Sequence, residues 1–222
     1  MRFIMWGVVC CFMVVLCGCS TAVSGVPSDA TVLIDPGHGG PDGGAVAEDG
    51  TLEKDLNLSV SLRLRDMLAV CGVRITMTRT TYVSIHGAEA TSIRDKKVSD
   101  LRNRLMLYQQ SALVISIHQN RFQQPQYAGT QVFYAAANPE SMSVAQAVQQ
   151  AVVTYLQPHN KRPIKAATDG VYLMYHTTVP AVLIECGFMS NPQELLNLKD
   201  EHYRQKMAFA ITAGYWNYRT ER

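Results

Sequence analysis

The chain is 222 residues long, 47% hydrophobic and 17% charged, which excludes a collagen, a coiled coil and a disordered tail and fits one globular domain. Its formal charge of +2 is nearly balanced and it contains no Lys/Arg run, so electrostatics argue against a nucleic-acid partner.

Residues 1–20 differ from everything after them. Arg2 gives a positive start, residues 3–16 are apolar apart from Gly7, Cys10 and Cys11, and Pro27, Ser28 and Asp29 soon follow. That is the shape of a secretion signal. At about 1.5 Å per residue the apolar run covers roughly 21 Å, short of a hydrocarbon core of about 30 Å, which disfavours a spanning helix. Leu16-Cys17-Gly18-Cys19-Ser20 resembles a bacterial lipobox, which implies a signal over residues 1–18, a lipidated Cys19 and a linker over residues 19–30. Several acyl chains, at about 0.8 kcal/mol per buried methylene, would anchor the protein on the extracytoplasmic face of the membrane. A plain cleaved leader would release it into the envelope or the medium. Cleavage after Gly18 removes Arg2 and no acid, so 20 Lys+Arg become 19 against 18 Asp+Glu. Beyond Cys19 only Cys71 and Cys186 remain, and no disulfide framework is implied.

From residue 31, short β-rich apolar runs alternate with stretches of helical period, the pattern of an α/β domain. The expectation is a single domain over residues 31–219, with helices flanking an open, twisted, mostly parallel mixed sheet. Residues 31–34 read as a strand, followed by a Gly-rich loop. Thr51 can cap a helix with Leu56, Val60, Leu64 and Leu68 on one face, which Gly72 stops. Residues 73–78 are the next strand, 80–96 a surface loop, and Val98, Leu101, Leu105 and Tyr108 mark a second helix leading into a strand at 112–117. Residues 129–135 read as a strand, 141–156 as a helix, 158–169 as a polar loop, 171–174 as a short strand, 181–184 as a buried strand and 200–218 as the closing helix. The chain contains no internal repeat.

Three of these strands run into ionisable residues: 32–34 into Asp35-Pro36-Gly37-His38, 114–117 into His118, and 182–184 into Glu185. Ligands gather beyond the carboxyl ends of parallel strands, so the fold would bring these groups to one rim. Any one of these histidines taken alone is explained by ordinary hydrogen bonding. Two histidines with two carboxylates match the inventory of a catalytic zinc site, although the HExxH arrangement is absent. The glycines of residues 37–44 permit close approach of a substrate, and neither GxxxxGK[ST] nor GxGxxG is present to make this a phosphate loop. Glu53, on the first helical turn, reads by position as an acid complementing the helix dipole, and as a ligand only under the metal reading.

Asp35-Pro36-Gly37-His38-Gly39-Gly40, Glu53, Ser116-Ile117-His118-Gln119-Asn120 and residues 185–191 (ECGFMSN) look like the motifs of the zinc N-acetylmuramoyl-L-alanine amidases of the Amidase_3 type, in order from about residue 31 to 218. The resemblance implies one Zn2+ held by His38, Glu53 and His118, Glu185 as the catalytic glutamate, and peptidoglycan as the substrate. Residues 129–134 look closest to the germination-specific branch that acts on spore cortex. Two positions depart from the family: Thr80 follows Thr78-Arg79 where an aspartate is common, and Gln119 stands where a small residue is usual. Asn120, Arg162, Tyr172 and Tyr175 are candidates for lining a substrate groove. His86, His159, His176 and His202 read as surface or structural. Two other classes stay open at this point. One is a cysteine hydrolase using Cys186 with His38, His118 or His176, and the other a non-catalytic peptidoglycan-binding lipoprotein. Residues 80–96 and 158–169 leave room for regulation, including by an activating protein partner.

Overall fold

The computed structural model describes residues 31–221; the signal expected over residues 1–18, the lipidated Cys19 and the linker over 19–30 lie outside them. Strands β1 (Val32–Pro36), β2 (Ile75–Met77), β3 (Leu113–Asn120), β4 (Gln131–Tyr134), β5 (Lys165–Ala166) and β6 (Ala181–Phe188) form one sheet in the order β2-β1-β3-β6-β4-β5. β2, β1, β3 and β6 are mutually parallel, while β4 pairs antiparallel with β6 and β5 parallel with β4. Helices α1 (Glu53–Val70), α2 (Ile93–Gln109), α3 (Glu140–Tyr155), α4 (Tyr172–His176), α5 (Pro192–Lys199) and α6 (Glu201–Thr220) complete a single α/β domain of the class expected.

Alternation along the strands divides the core in two. Ile34, Ile115, Ile117, Val182 and Ile184 pack with Leu64 and Leu68 of α1, Val148 of α3 and Ile211 of α6. Leu33, Val114 and Leu183 face the other way, onto Tyr108 of α2 and Leu173 and Met174 of α4. Strands covered on both faces read as continuous apolar runs, which is why β1, β3 and β6 were visible in the sequence. Among the described residues no helix is long and apolar enough to cross a membrane.

Several expectations are corrected. Residues 171–174 are not a strand: Tyr172 and Tyr175, three apart, are exposed while Leu173 and Met174 between them are buried, the spacing of one turn of helix, α4. The loop expected over 80–96 ends early, because Ser92 caps α2 by accepting the Asp95 amide at 3.1 Å, and the exposed first turn carries no apolar period. Thr51 does not cap α1. Leu52 holds the cap position, and loop carbonyls take the first amides, Glu53 N donating to Ala45 O (2.9 Å) and Lys54 N to Gly43 O (3.1 Å). Helix α5 was missed although Asn191 caps it and Pro192 opens it, and the two-residue β5 lies inside the loop expected at 158–169. β3 and β6 run past their expected ends, so His118 and Glu185 sit within strands rather than after them.

Candidate metal centre

The carboxyl ends of β1, β3 and β6 converge with the start of α1. Parallel pairing sets His118 beside Glu185 in register. β1 ends at Pro36, and Gly37 places its Cα against the His118 imidazole so closely that a Cβ there would lie 2.2 Å from the ring. His38 follows with a φ of 63°, a left-handed conformation that a non-glycine residue adopts only when its surroundings impose it. Arg104 imposes it here, donating from Nη2 to His38 O at 2.6 Å and from Nη1 to Pro36 O at 2.9 Å. Arg79 donates to Pro36 O (3.0 Å) and Gly37 O (2.9 Å), and Lys54 Nζ to Gly40 O (2.7 Å), so the loop's carbonyls are held from three sides.

Behind the loop lies a fully buried cluster. Asp35 accepts from Arg104 Nη1, Thr78 Oγ1 (2.7 Å), Tyr108 OH (2.5 Å) and Ser116 Oγ (3.0 Å). Burial pushes the Asp35 carboxyl up, but the Arg104 guanidinium and the hydroxyl donors hold it down at about 2. Arg104 also binds Asp100 Oδ2 at 2.7 Å through Nε.

His38, Glu53 and His118 are the one group of His, Cys, Asp or Glu among the described residues whose donor atoms gather, all within 4.8 Å, as a metal site requires. Glu53 Oε2 is 3.2 Å from His38 Nε2, and Glu53 Oε1 is 2.9 Å from His118 Nδ1. Ligands at about 2.0–2.1 Å in a tetrahedron stand roughly 3.4 Å apart, so one donor atom from each residue, gathered within 4.8 Å, is close enough to close on a zinc-sized ion with small side-chain movements. Asp42 Oδ2 takes His38 Nδ1 at 3.0 Å, which fixes the tautomer that leaves Nε2 facing Glu53. Burial pushes the His38 imidazole down, yet hydrogen bonds to Asp42 and Glu53 raise it to about 9. Burial likewise raises the Glu53 carboxyl, and His118 and His38 hold it well below the usual carboxylate range. The trio therefore concentrates negative potential where a proton or a metal cation satisfies it.

Glu53 is fixed by more than its histidines. Its Oε1 also accepts from Gln119 N (3.1 Å) and Asn57 Nδ2 (3.2 Å), and its Oε2 from Ala45 N (2.8 Å). Gln119 Nε2 in turn donates to Asn57 Oδ1 at 3.2 Å, so the glutamine that departs from the family's small residue packs behind the site. Glu185 contrasts with Glu53: its Oε2 is buried with no hydrogen-bond partner, and burial, opposed by the His118 charge, raises its carboxyl to about 7.

The other residues singled out in the sequence fall elsewhere. Asn120 ends β3 and accepts the Met189 amide at 2.8 Å beside the site. The Arg162 guanidinium lies 4.5 Å from the centre of the Phe188 ring and donates to Ala128 O at 2.7 Å, bracing residues 128–131. Tyr172 and Tyr175 stand on α4 against His176, and neither lines the cleft formed by Ala45, Arg121 and Met189 at this end of the sheet. Cys186 is wholly buried on the α1/α3/α6 side, where burial pushes its thiol well above the ordinary range, and a thiol so held supplies no nucleophile. Sequence reasoning placed Asp35 at the rim without its buried role, and missed Arg104 and Asn57 as parts of the site. Asp42, inside the glycine loop, was missed as the partner of His38.

Known proteins share this chain's sequence and fold. The N-acetylmuramoyl-L-alanine amidase family profile matches residues 32–216. The germination-specific N-acetylmuramoyl-L-alanine amidase of Bacillus subtilis is 36% identical over 197 residues, covering 88% of this chain and 82% of that protein. The CwlD amidase from Clostridioides difficile, solved in complex with the GerS lipoprotein, superposes with a TM-score of 0.83 at 35% identity, over 87% of this chain and 100% of that one. An N-acetylmuramoyl-L-alanine amidase from Clostridium difficile 630 gives 0.74 at 29% identity, over 85% and 96%.

Proposed function

This chain belongs to the N-acetylmuramoyl-L-alanine amidase family, and on that premise we propose how its own residues carry out the reaction. The protein hydrolyses the amide between N-acetylmuramic acid and L-alanine in peptidoglycan, in the cell wall and outside the cytoplasm. The observation that carries the proposal is a partnerless carboxylate, Glu185, paired in register with one member of a three-residue metal-binding group.

His38, Glu53 and His118 would hold one Zn2+. When bound, zinc supplies a Lewis acid that polarises the lactyl amide carbonyl and lowers the pKa of water. Glu185, with Oε2 free of hydrogen bonds and a carboxyl near 7, takes the proton of the attacking water and returns it to the alanine nitrogen, which leaves poorly as an unprotonated amine. Asp42 keeps His38 in the ligating tautomer, and Asn57 and the Gln119 amide keep Glu53 in place.

The peptidoglycan served is spore cortex, a reading supported by the germination-specific relative in Bacillus subtilis. A protein partner is supported by the GerS complex of the Clostridioides difficile relative. Cleavage after Gly18, lipidation of Cys19 and a linker over residues 19–30 would hold the catalytic domain, residues 31–219, at the membrane surface; the lipobox-like stretch supports this.

Mass spectrometry of spore cortex and vegetative wall digested by the zinc-loaded protein tests bond and substrate together. Glu185→Ala is expected to keep zinc and to lose peptide release by a factor of roughly 10²–10⁴. His118→Ala is expected to lose the metal as well. Substantial release by Glu185→Ala would sink its assigned role.

A further inference from the structure

A cleft of about 760 Å³ opens at this end of the sheet, lined among others by Glu48, Arg121, Phe122, Pro125, Met189 and Leu195, with Ala45 between it and Glu53 of the trio. Its walls continue the elements that make the site. Arg121 and Phe122 directly follow β3, and Met189 directly follows β6. Ala45, on a third side, donates its amide to Glu53 Oε2. The walls are tied together by Met189 N to Asn120 O (2.8 Å), Phe122 N to Ser190 Oγ (3.1 Å) and Asn191 Nδ2 to Pro125 O (2.9 Å).

Arginines elsewhere at this end of the sheet are engaged. Arg79 and Arg104 hold the metal-binding loop, and Arg162 braces residues 128–131. Arg121 is exposed in the cleft and makes no ion pair or hydrogen bond among the described residues. A guanidinium left free beside a reaction centre is a ready-made fork for a carboxylate. Substrate chemistry says which one. The N-acetylated sugars are neutral, and the lactyl carboxyl is consumed in the amide, so negative charge near the scissile bond lies on the peptide side. Glu48, the other charged side chain of the lining, repels a carboxylate from its own wall and favours the Arg121 wall.

We propose that Arg121 anchors a free carboxylate of the peptide that follows L-alanine, making this cleft the subsite for the leaving peptide. The inference rests on the amidase reading of the adjoining site. Arg121 acts in binding and selection, and the proton transfers remain with Glu185.

The test uses two N-acetylmuramoyl peptides that differ at one group on the residue after L-alanine, a carboxylate in one and a carboxamide in the other. Peptide release by the zinc-loaded protein is followed, with zinc content measured in parallel. The native protein is expected to favour the carboxylate substrate about tenfold in KM. Arg121→Gln is expected to erase that preference by raising KM for the carboxylate substrate, and Arg121→Lys to restore part of it, since a point charge replaces a fork. A preference that survives Arg121→Gln overturns the proposal, as does a native protein with no preference. A native protein that releases peptide from neither substrate overturns the reading of the site itself, and the subsite with it.

Discussion

The Asp35–Arg104 cluster and the His38–Glu53–His118 trio lie at the same end of the sheet and are both made of paired charges, yet only one of them closes on itself. Asp35 takes donors from Arg104, Thr78, Tyr108 and Ser116 and is cut off from water. The trio keeps its histidines about one-fifth exposed and has the partnerless Glu185 oxygen beside it. A buried charge network that satisfies every member stiffens a structure, whereas unspent polar capacity beside a cleft is where a ligand can act. The first cluster positions the loop, the proposed function gives the chemistry to the second, and Arg104 joins them through His38 O.

The strongest way to break that division is Arg104→Met. It strands the Asp35 carboxylate in an apolar interior, and removing one partner of a buried pair costs about 3–5 kcal/mol. Urea unfolding of the zinc-free protein is expected to show that loss, with part of it recovered in the double variant Arg104→Met/Asp35→Asn, which removes the Asp35 charge and leaves only Asp100 without its partner. A single variant as stable as the native protein would mean that the cluster is not the frame of the loop.

Asp42→Asn probes the other side of the comparison. The Asp42 carboxylate is partly exposed and also lies 3.4 Å from Lys97 Nζ, so its loss is expected to cost little stability. Its effect should fall on the metal instead, because the hydrogen bond at His38 Nδ1 sets which ring nitrogen is free. Zinc affinity, measured by competition with a chelator, is expected to drop about 10–100-fold. An unchanged affinity would remove Asp42 from the metal centre.

The sequence made one of these clusters far more legible than the other, for a physical reason. Strands buried on both faces read as apolar runs, and the ionisable residues that follow those runs, His38, His118 and Glu185, stand out against that background. Glu53 had an adequate explanation as a helix-start acid, and only the family resemblance made it a ligand. The Asp35 cluster was hidden because α2 buries Asp100, Arg104 and Tyr108, a face spaced at i, i+4 and i+8 that is mostly polar. Helical period picks out Leu101 and Leu105, which are only half-buried, since the sheet presents a carboxylate to α2 at this point and a charged face matches it. Helix α4 was misread for want of length, and α5 despite a legible Asn-Pro start.

The smallest expected effect separates the two clusters by the sign of their response to pH. Asp35 has its carboxyl lowered from 3.8 to about 2, so the stability it contributes is present above about 3.8 and is lost as the pH falls toward 2. Glu185 is displaced the opposite way, from 4.5 to about 7. Below the lower value it is protonated in folded and unfolded chains alike and contributes nothing. Between the two values the unfolded chain releases the proton while the folded chain keeps it, so stability falls as the pH rises, and above about 7 the penalty is complete. Glu185→Gln removes a charge that the metal-free site burdens. The zinc-free variant is therefore expected to be more stable than the native protein by about 1–3 kcal/mol at pH 8 and equal to it at pH 4, by urea unfolding at each pH. Zinc should shrink the gain, because a cation beside Glu185 favours its ionised form. A gain of the same size at both pH values would instead assign it to packing, and Glu185 would lose its standing as the unsatisfied charge beside the metal.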